Sequence, residues 1–173
     1  SEEASEDMYR MAGVGSDKPL ERGALERAYR RLPWLVVTLV GYTVLSGLIS
    51  HFQPTLEKIV ALTFFIPAIM ALGGNTGIQS STVTVRGLAT GDIDWSDLWW
   101  MLRREVLMAL IIGTLCALAL ATVAYVSLRV AGPAEFSLFR FSATVGVAMF
   151  CGILSSVILG TAIPMICNRV GVD

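Results

Sequence analysis

Asn75 and Gln79 stand four residues apart in ALGGNTGIQSSTVTVRGLATGD, residues 71–92, directly after a run apolar enough to sit in lipid. On a helix this spacing places both amides on one face. An amide buried in hydrocarbon without a partner is costly, so amides and glycines here imply backbone or water exposed for a purpose. Gly73 and Gly74 permit close backbone approach and leave carbonyl oxygens less covered, and Ser80, Thr82 and Thr84 extend the polar character. Neutral oxygens of this kind suit a cation that keeps part of its water shell, as Mg²⁺ does because it dehydrates reluctantly. Small and amide residues also knit membrane helices together. Spacing alone therefore leaves two readings, an ion path or a packing face.

Other groups offer less chemistry. No GxSxG, HExxH, Walker loop or Cys/His metal spacing occurs, so an enzyme would lack both nucleophile and metal. Cys116, Cys151 and Cys167 all fall in apolar runs, where cysteine packs as a small polarizable residue. His51, the only histidine, is expected at the outer end of a span as a polar terminus. Glu57 either pairs with a neighbour or draws cations to an external mouth. Glu2, Glu3, Glu6 and Asp7 form an acidic cluster that reads as a solvated helical face.

The elements that must position the amides follow from composition. With 54% hydrophobic and 16% charged residues, the chain is an integral membrane protein of the all-α class, a polytopic helical bundle. A net charge of -1 gives no reason to expect nucleic acid. The acidic opening SEEASEDMYR has no apolar signal-peptide core and begins like the cut end of something longer. Four apolar segments approach or exceed the ~20 residues that cross a bilayer as a helix. They are residues 33–50, 59–85, 106–128 and 141–168, within a membrane domain of residues 33–173 that follows a linker and approach helix at 1–32. Pro33 suits a first turn. The second segment, with Pro67 and Gly-Gly-Asn, invites a kink, a tilt or an interruption. No Asp or Glu falls inside any of the four as bounded here.

Cations set the orientation, since Lys and Arg near span ends are retained in the cytoplasm. Arg22, Arg27, Arg30 and Arg31 precede the first span, Arg86, Arg103 and Arg104 separate the second and third, and Arg169 follows the fourth. Both termini are then cytoplasmic, in a multi-pass cell-membrane protein. In the loop GDIDWSDLWWMLRRE, Asp97 suits a helix cap, and Trp95, Trp99 and Trp100 suit headgroup depth. Four spans with glycine-rich faces make a small bundle, which points to a homodimer.

The segments HFQPTLEKIVAL and FFIPAIMALGGNTGIQSSTVTVRGLATGDI together resemble the second-helix signature of the MgtE family of magnesium channels. SEEASEDMYRMAGV resembles that family's linker from its cytoplasmic regulatory domains, and NRVGVD the stretch after its fourth helix. The resemblance implies a homodimeric Mg²⁺ pathway at the subunit interface, lined by the family's second and fifth membrane helices. Gly73, Gly74 and Asn75 match the family's Gly-Gly-Asn, and Gln79, Ser80 and Thr82 the polar residues after it. Glu6 and Asp7 match linker acids that hold regulatory Mg²⁺ in the closed state. The family pattern continues past Asp173 into the fifth helix, which bears the acidic pore residue. If the conducting residues lie outside this chain, the same segment serves instead as a dimerisation module.

Overall fold

The computed structural model describes residues 24–131 and 136–170. Glu2, Glu3, Glu6 and Asp7, the rest of the linker to residue 23, positions 132–135 between the third and fourth expected spans, and residues 171–173 lie outside the described residues. The chain divides into two compact units at Lys58 and Ile59.

In the first unit, α1 runs over Ala24–His51 and α2 over Gln53–Lys58. Pro33 lies inside α1 and not in its first turn. Residues 24–32, ALERAYRRL, are rich in good helix formers and carry the helix past the expected boundary. Inside a helix a proline loses one backbone bond and its ring crowds the carbonyl four residues back, at a cost of about 3 kcal/mol. The apolar part of α1 is Leu35–His51, shorter than the other candidate spans. His51 closes α1 with its ring edge-on to Phe52 at 5.3 Å. In α2, Gln53 Nε2 donates to Glu57 Oε1 at 2.6 Å, so Glu57 does pair with a neighbour.

The second unit holds a short 3-10 turn at Val60–Phe65, then α3 (Ile66–Thr90), a 3-10 turn at Trp95–Asp97, α4 (Leu98–Ala131) and α5 (Leu138–Val170). Among the described residues three stretches are long and apolar enough to cross a membrane: Val60–Thr90, Trp95–Ala131 and Leu138–Val170. α3 and α4 both pack along α5, which is the middle of the unit. Its inner residues Met149, Ile153 and Val157 meet Ala109 of α4, and Ile69 of α3 packs against this group. Toward the other end Phe141 and Val145 meet Ala124, with Phe65 edge-on to Phe141 at 5.8 Å and Phe136 stacked on it at 5.4 Å. The remaining surface carries Ile111, Leu115, Leu118, Val147 and Leu159, exposed as in a helix that faces lipid or another membrane helix.

Pro67 sits in the first turn of α3, where its missing N–H costs nothing, and the helix then continues unbroken through Gly73, Gly74 and Asn75. The irregularity expected at Gly-Gly-Asn lies ahead of it, in the 3-10 turn. Gly91 ends α3 with φ 73°, a left-handed conformation that glycine adopts without strain, and its N–H reaches back to Gly87 and Leu88. In the loop that follows, Asp94 caps the 3-10 turn and Asp97 takes part in the same capping box. Asp94 accepts from Ser96 N–H, and Asp97 closes the box by accepting from Asp94 N–H at 3.0 Å. The box holds the start of α4 eight residues before the apolar run at Val106. This extension places Glu105 on the helix one residue ahead of the apolar run, which itself contains no Asp or Glu.

Candidate functional site

The polar segment of α3 is divided by the helix between two opposite faces. A helix advances about 100° per residue, so Asn75, Gln79, Thr82 and Arg86 fall in one narrow sector, and Gly73, Gly77, Ser80 and Thr84 in the sector behind it. All members of the first group are exposed, and all of the second are buried. Gly74 is exposed at the flank of the outward sector, and a Cβ there would meet nothing within 4 Å.

The inward face is built by small residues from both helices. Gly73 lies over Gly152, whose carbonyl oxygen would stand 3.6 Å from a Cβ at position 73. One turn on, a Cβ at Gly77 would strike the Ser156 side chain, and a Cβ at Gly160 would strike the Gly77 carbonyl. Spacings of four, Gly73 and Gly77 against Gly152, Ser156 and Gly160, bring the two backbones together as membrane helices do at small-residue crossings. Thr76 and Thr84 satisfy their hydroxyls locally, donating to Leu72 O at 2.7 Å and Ser80 O at 2.8 Å. Ser80, only 1% exposed, reaches off the helix instead, and its Oγ donates to Glu105 Oε2 of α4 at 2.6 Å.

The outward face is a polar stripe between aliphatic edges. Leu72, Ile78 and Val83 flank it, each at least 41% exposed. Thr82 donates to Ile78 O at 2.8 Å, while among the described residues neither Asn75 nor Gln79 has a side-chain partner. The stripe runs to Arg86, which lies near the hairpin end of the bundle. At that end the guanidinium of Arg169, in the last turn of α5, stands 4.7 Å from the Trp95 ring, and Arg104 stands 4.7 Å from Trp100. Trp99 and Trp100 are exposed, as expected for interfacial rings, whereas Trp95 is half-buried beneath Arg169. The hydroxyl and N–H of Ser96 both donate to Asp94 and hold its carboxyl below the usual carboxylate range.

The five positions singled out by sequence are thus not one cluster. Asn75, Gln79 and Thr82 align outward with Gly74 beside them, and Gly73 turns inward. Glu105 was not among those positions. Its place four residues from both Met101 and Ala109, on the buried seam of α4, is the sequence signal that identifies it. Among the described residues there is no group of three or more His, Cys, Asp or Glu placed to hold a metal ion.

Residues 66–173 match the MgtE family, described as divalent cation transporter. Over 171 residues the chain is 34% identical to the magnesium transporter MgtE of Bacillus subtilis, an alignment covering 99% of this chain and 36% of that protein. It is 31% identical over 176 residues to the magnesium transporter MgtE of Thermus thermophilus, with the same two coverages. It is also 31% identical over 172 residues to that of Enterococcus faecalis, again covering 99% and 36%. The chain therefore spans about a third of the length of these relatives. The family match takes in all of α3, with its glycine face and its amide stripe, together with α4 and α5, and on that match the chain belongs to the MgtE family of divalent cation transporters.

Proposed function

We propose that this chain is the membrane part of a magnesium channel or transporter, in which Mg²⁺ moves along a path lined by α3 at the interface between two copies. The observation that carries the reading is the outward stripe of Asn75, Gln79 and Thr82 on a helix long and apolar enough to span a membrane. Two amides facing hydrocarbon would be left without partners, so a wet axis or a second protein surface is their natural environment. The glycines that serve as packing residues lie on the other face, already used against α5. That separation favours an ion path over packing for the stripe itself.

The family is one of transporters, in agreement with the missing nucleophile and metal motifs of an enzyme. That Mg²⁺ is the cargo rests on the relatives' name, magnesium transporter. Within the path, Asn75 and Gln79 offer side-chain oxygens to a hydrated cation, Thr82 its hydroxyl, and Gly74 its uncovered backbone. Gly73, buried on the opposite face, seats α3 on α5 and lies off this path. Neutral oxygens hold the ion loosely enough for release, as conduction requires. α1 supplies a fourth span, both termini face the cytoplasm, and Glu6 and Asp7 bind regulatory Mg²⁺ weakly, with cytoplasmic domains supplying further carboxylates. A reading as a dimerisation module alone requires that the outward amides carry no ion.

Flux separates the two readings. In the full-length protein in proteoliposomes, Asn75→Ala should reduce Mg²⁺ flux and leave dimerisation intact, because alanine packs at least as closely. Normal flux, or a loss that tracks loss of the dimer, would show that the amide is structural. The topology has its own check. A cysteine at Thr55 should react with an impermeant external reagent and one at Gly91 should not, and the reverse pattern would overturn the orientation.

A further inference from the structure

The path described above gives no role to Glu105. It lies two turns into α4, half-buried, between buried Met101 and fully buried Ala109. One of its carboxylate oxygens accepts from Ser80 Oγ at 2.6 Å across a sequence separation of 25 residues. A hydroxyl bond to a carboxylate at this length is charge-assisted and among the stronger hydrogen bonds in a protein. α3 and α4 each pack along α5 and share no extended interface of their own, so the bond ties together two helices that otherwise meet through a third.

On the rest of the inward face of α3, Gly73 against Gly152 and Gly77 against Gly160 are backbone-on-backbone contacts. Such contacts decide which side of α3 meets α5, but they make no bond to α4. A hydrogen bond between single atoms on different helices fixes the rotation and sliding of one along the other, the registry role best attested for buried polar groups. Ser80 is adjacent to Gln79 and five residues from Asn75, so any rotation of α3 that Ser80 resists would turn the amide stripe by the same angle.

We propose that the Ser80–Glu105 hydrogen bond is a positioning clamp that sets the rotation of α3 against α4 and thereby aims Asn75 and Gln79 outward. Its consequence for transport rests on the ion path proposed above, but the clamp itself is a statement about geometry. The carboxylate acts here as an acceptor for Ser80. The amide oxygen of glutamine can replace it, and an alanine cannot.

The test uses the full-length protein in proteoliposomes with Cys116, Cys151 and Cys167 replaced by alanine. The labelling rate of a cysteine at Gln79 by a soluble maleimide reports the direction of the stripe, and Mg²⁺ flux with Gln79 intact reports its use. Ser80→Ala and Glu105→Ala should each change the labelling rate about tenfold, on the scale of losing one charge-assisted hydrogen bond, and lower flux in parallel. The double variant should be no worse than either single one. Glu105→Gln should keep both readouts close to the parent. Unchanged labelling in Ser80→Ala and Glu105→Ala would overturn the clamp whatever happens to flux. Glu105→Gln failing alongside Glu105→Ala, with Ser80→Ala normal, would overturn it too and show that the charge of Glu105 is what matters. Altered labelling together with normal flux in Asn75→Ala would sink the ion path and leave the clamp standing.

Discussion

The two faces of α3 use the same few residue types for opposite ends. On the inward face, a Cβ at Gly77 would strike the Ser156 side chain and crowd its carbonyl, and one at Gly73 would rest against the Gly152 backbone. On the outward face, Gly74 is small although a Cβ there would meet nothing within 4 Å. Polar atoms divide in the same way. Thr76, Thr84 and Ser80 are buried and hydrogen-bonded, to their own helix or to Glu105, whereas Asn75 and Gln79 are exposed with their amides free among the described residues. A residue type chosen under packing constraint and the same type present without any constraint from this chain call for different explanations. The first belongs to the fold. The second points to something outside the chain, which is why the functional proposal rests on the outward face alone.

The contrast breaks most sharply at Gly160. A Cβ there would run into the Gly77 carbonyl, a backbone atom that cannot swing aside. Gly160→Leu should force α3 and α5 apart along their whole contact and cost about 3 kcal/mol, the upper part of the usual range for overpacking. Unfolding in detergent, followed by circular dichroism against added denaturing surfactant, reads the loss. A Gly160→Leu protein as stable as the parent would mean that the crossing is not where the structure puts it, and the division into faces would fail with it.

Gly74→Ala sharpens the same comparison from the other side. With open space around the position, its stability should stay within about 0.5 kcal/mol of the parent, as for substitutions away from packed features. Gly77→Ala, one turn along and facing Ser156, should lose more in the same assay. Equal losses at the two positions would show that α3 has no preferred inward side.

The sequence makes the helices legible because apolar length is a property of composition, and it makes the special character of α3 legible because amides and glycines in a span are rare enough to notice. It does not reveal which of Gly73, Gly74, Thr76, Gly77 and Ser80 face inward. That depends on where Gly152, Ser156 and Gly160 stand on α5, about 80 residues away in the chain. Glu105 falls outside the apolar span yet inside the helix for a related reason. The apolar run begins at Val106, but the helix begins at Leu98, held there by the turn that Asp94 caps. Hydropathy marks where lipid contact starts, and helices are free to begin earlier. The left-handed residue that ends α3 is a legible glycine, yet the assignment of Asp94 as the cap required the turn geometry, since Asp94 and Asp97 are equally good cap residues by type.

That turn carries the smallest expected effect, because it sits where both faces of α3 have already ended. Asp94 accepts from the hydroxyl and the N–H of Ser96 at 2.6 and 2.7 Å, and these bonds favour its ionised form and lower its pKa. A carboxyl whose pKa is lower folded than unfolded contributes stability that is fully present above the unfolded value, about 3.9, and is lost as pH falls through the folded value. The parent should therefore lose a small increment of thermal stability on acidification below the ordinary aspartate range. Asp94→Asn should keep the cap at neutral pH, since asparagine caps about as well as aspartate, and should lack that acid-dependent increment. The measurement is the melting temperature of both proteins in detergent from pH 7 down to about 3, within the window set by the reference value. Parallel curves would show that Asp94 is not held as an ionised cap. An acid loss present only in the parent would place the effect at the hairpin, common to both faces, and leave the difference between them to Gly160, Gly77 and Gly74.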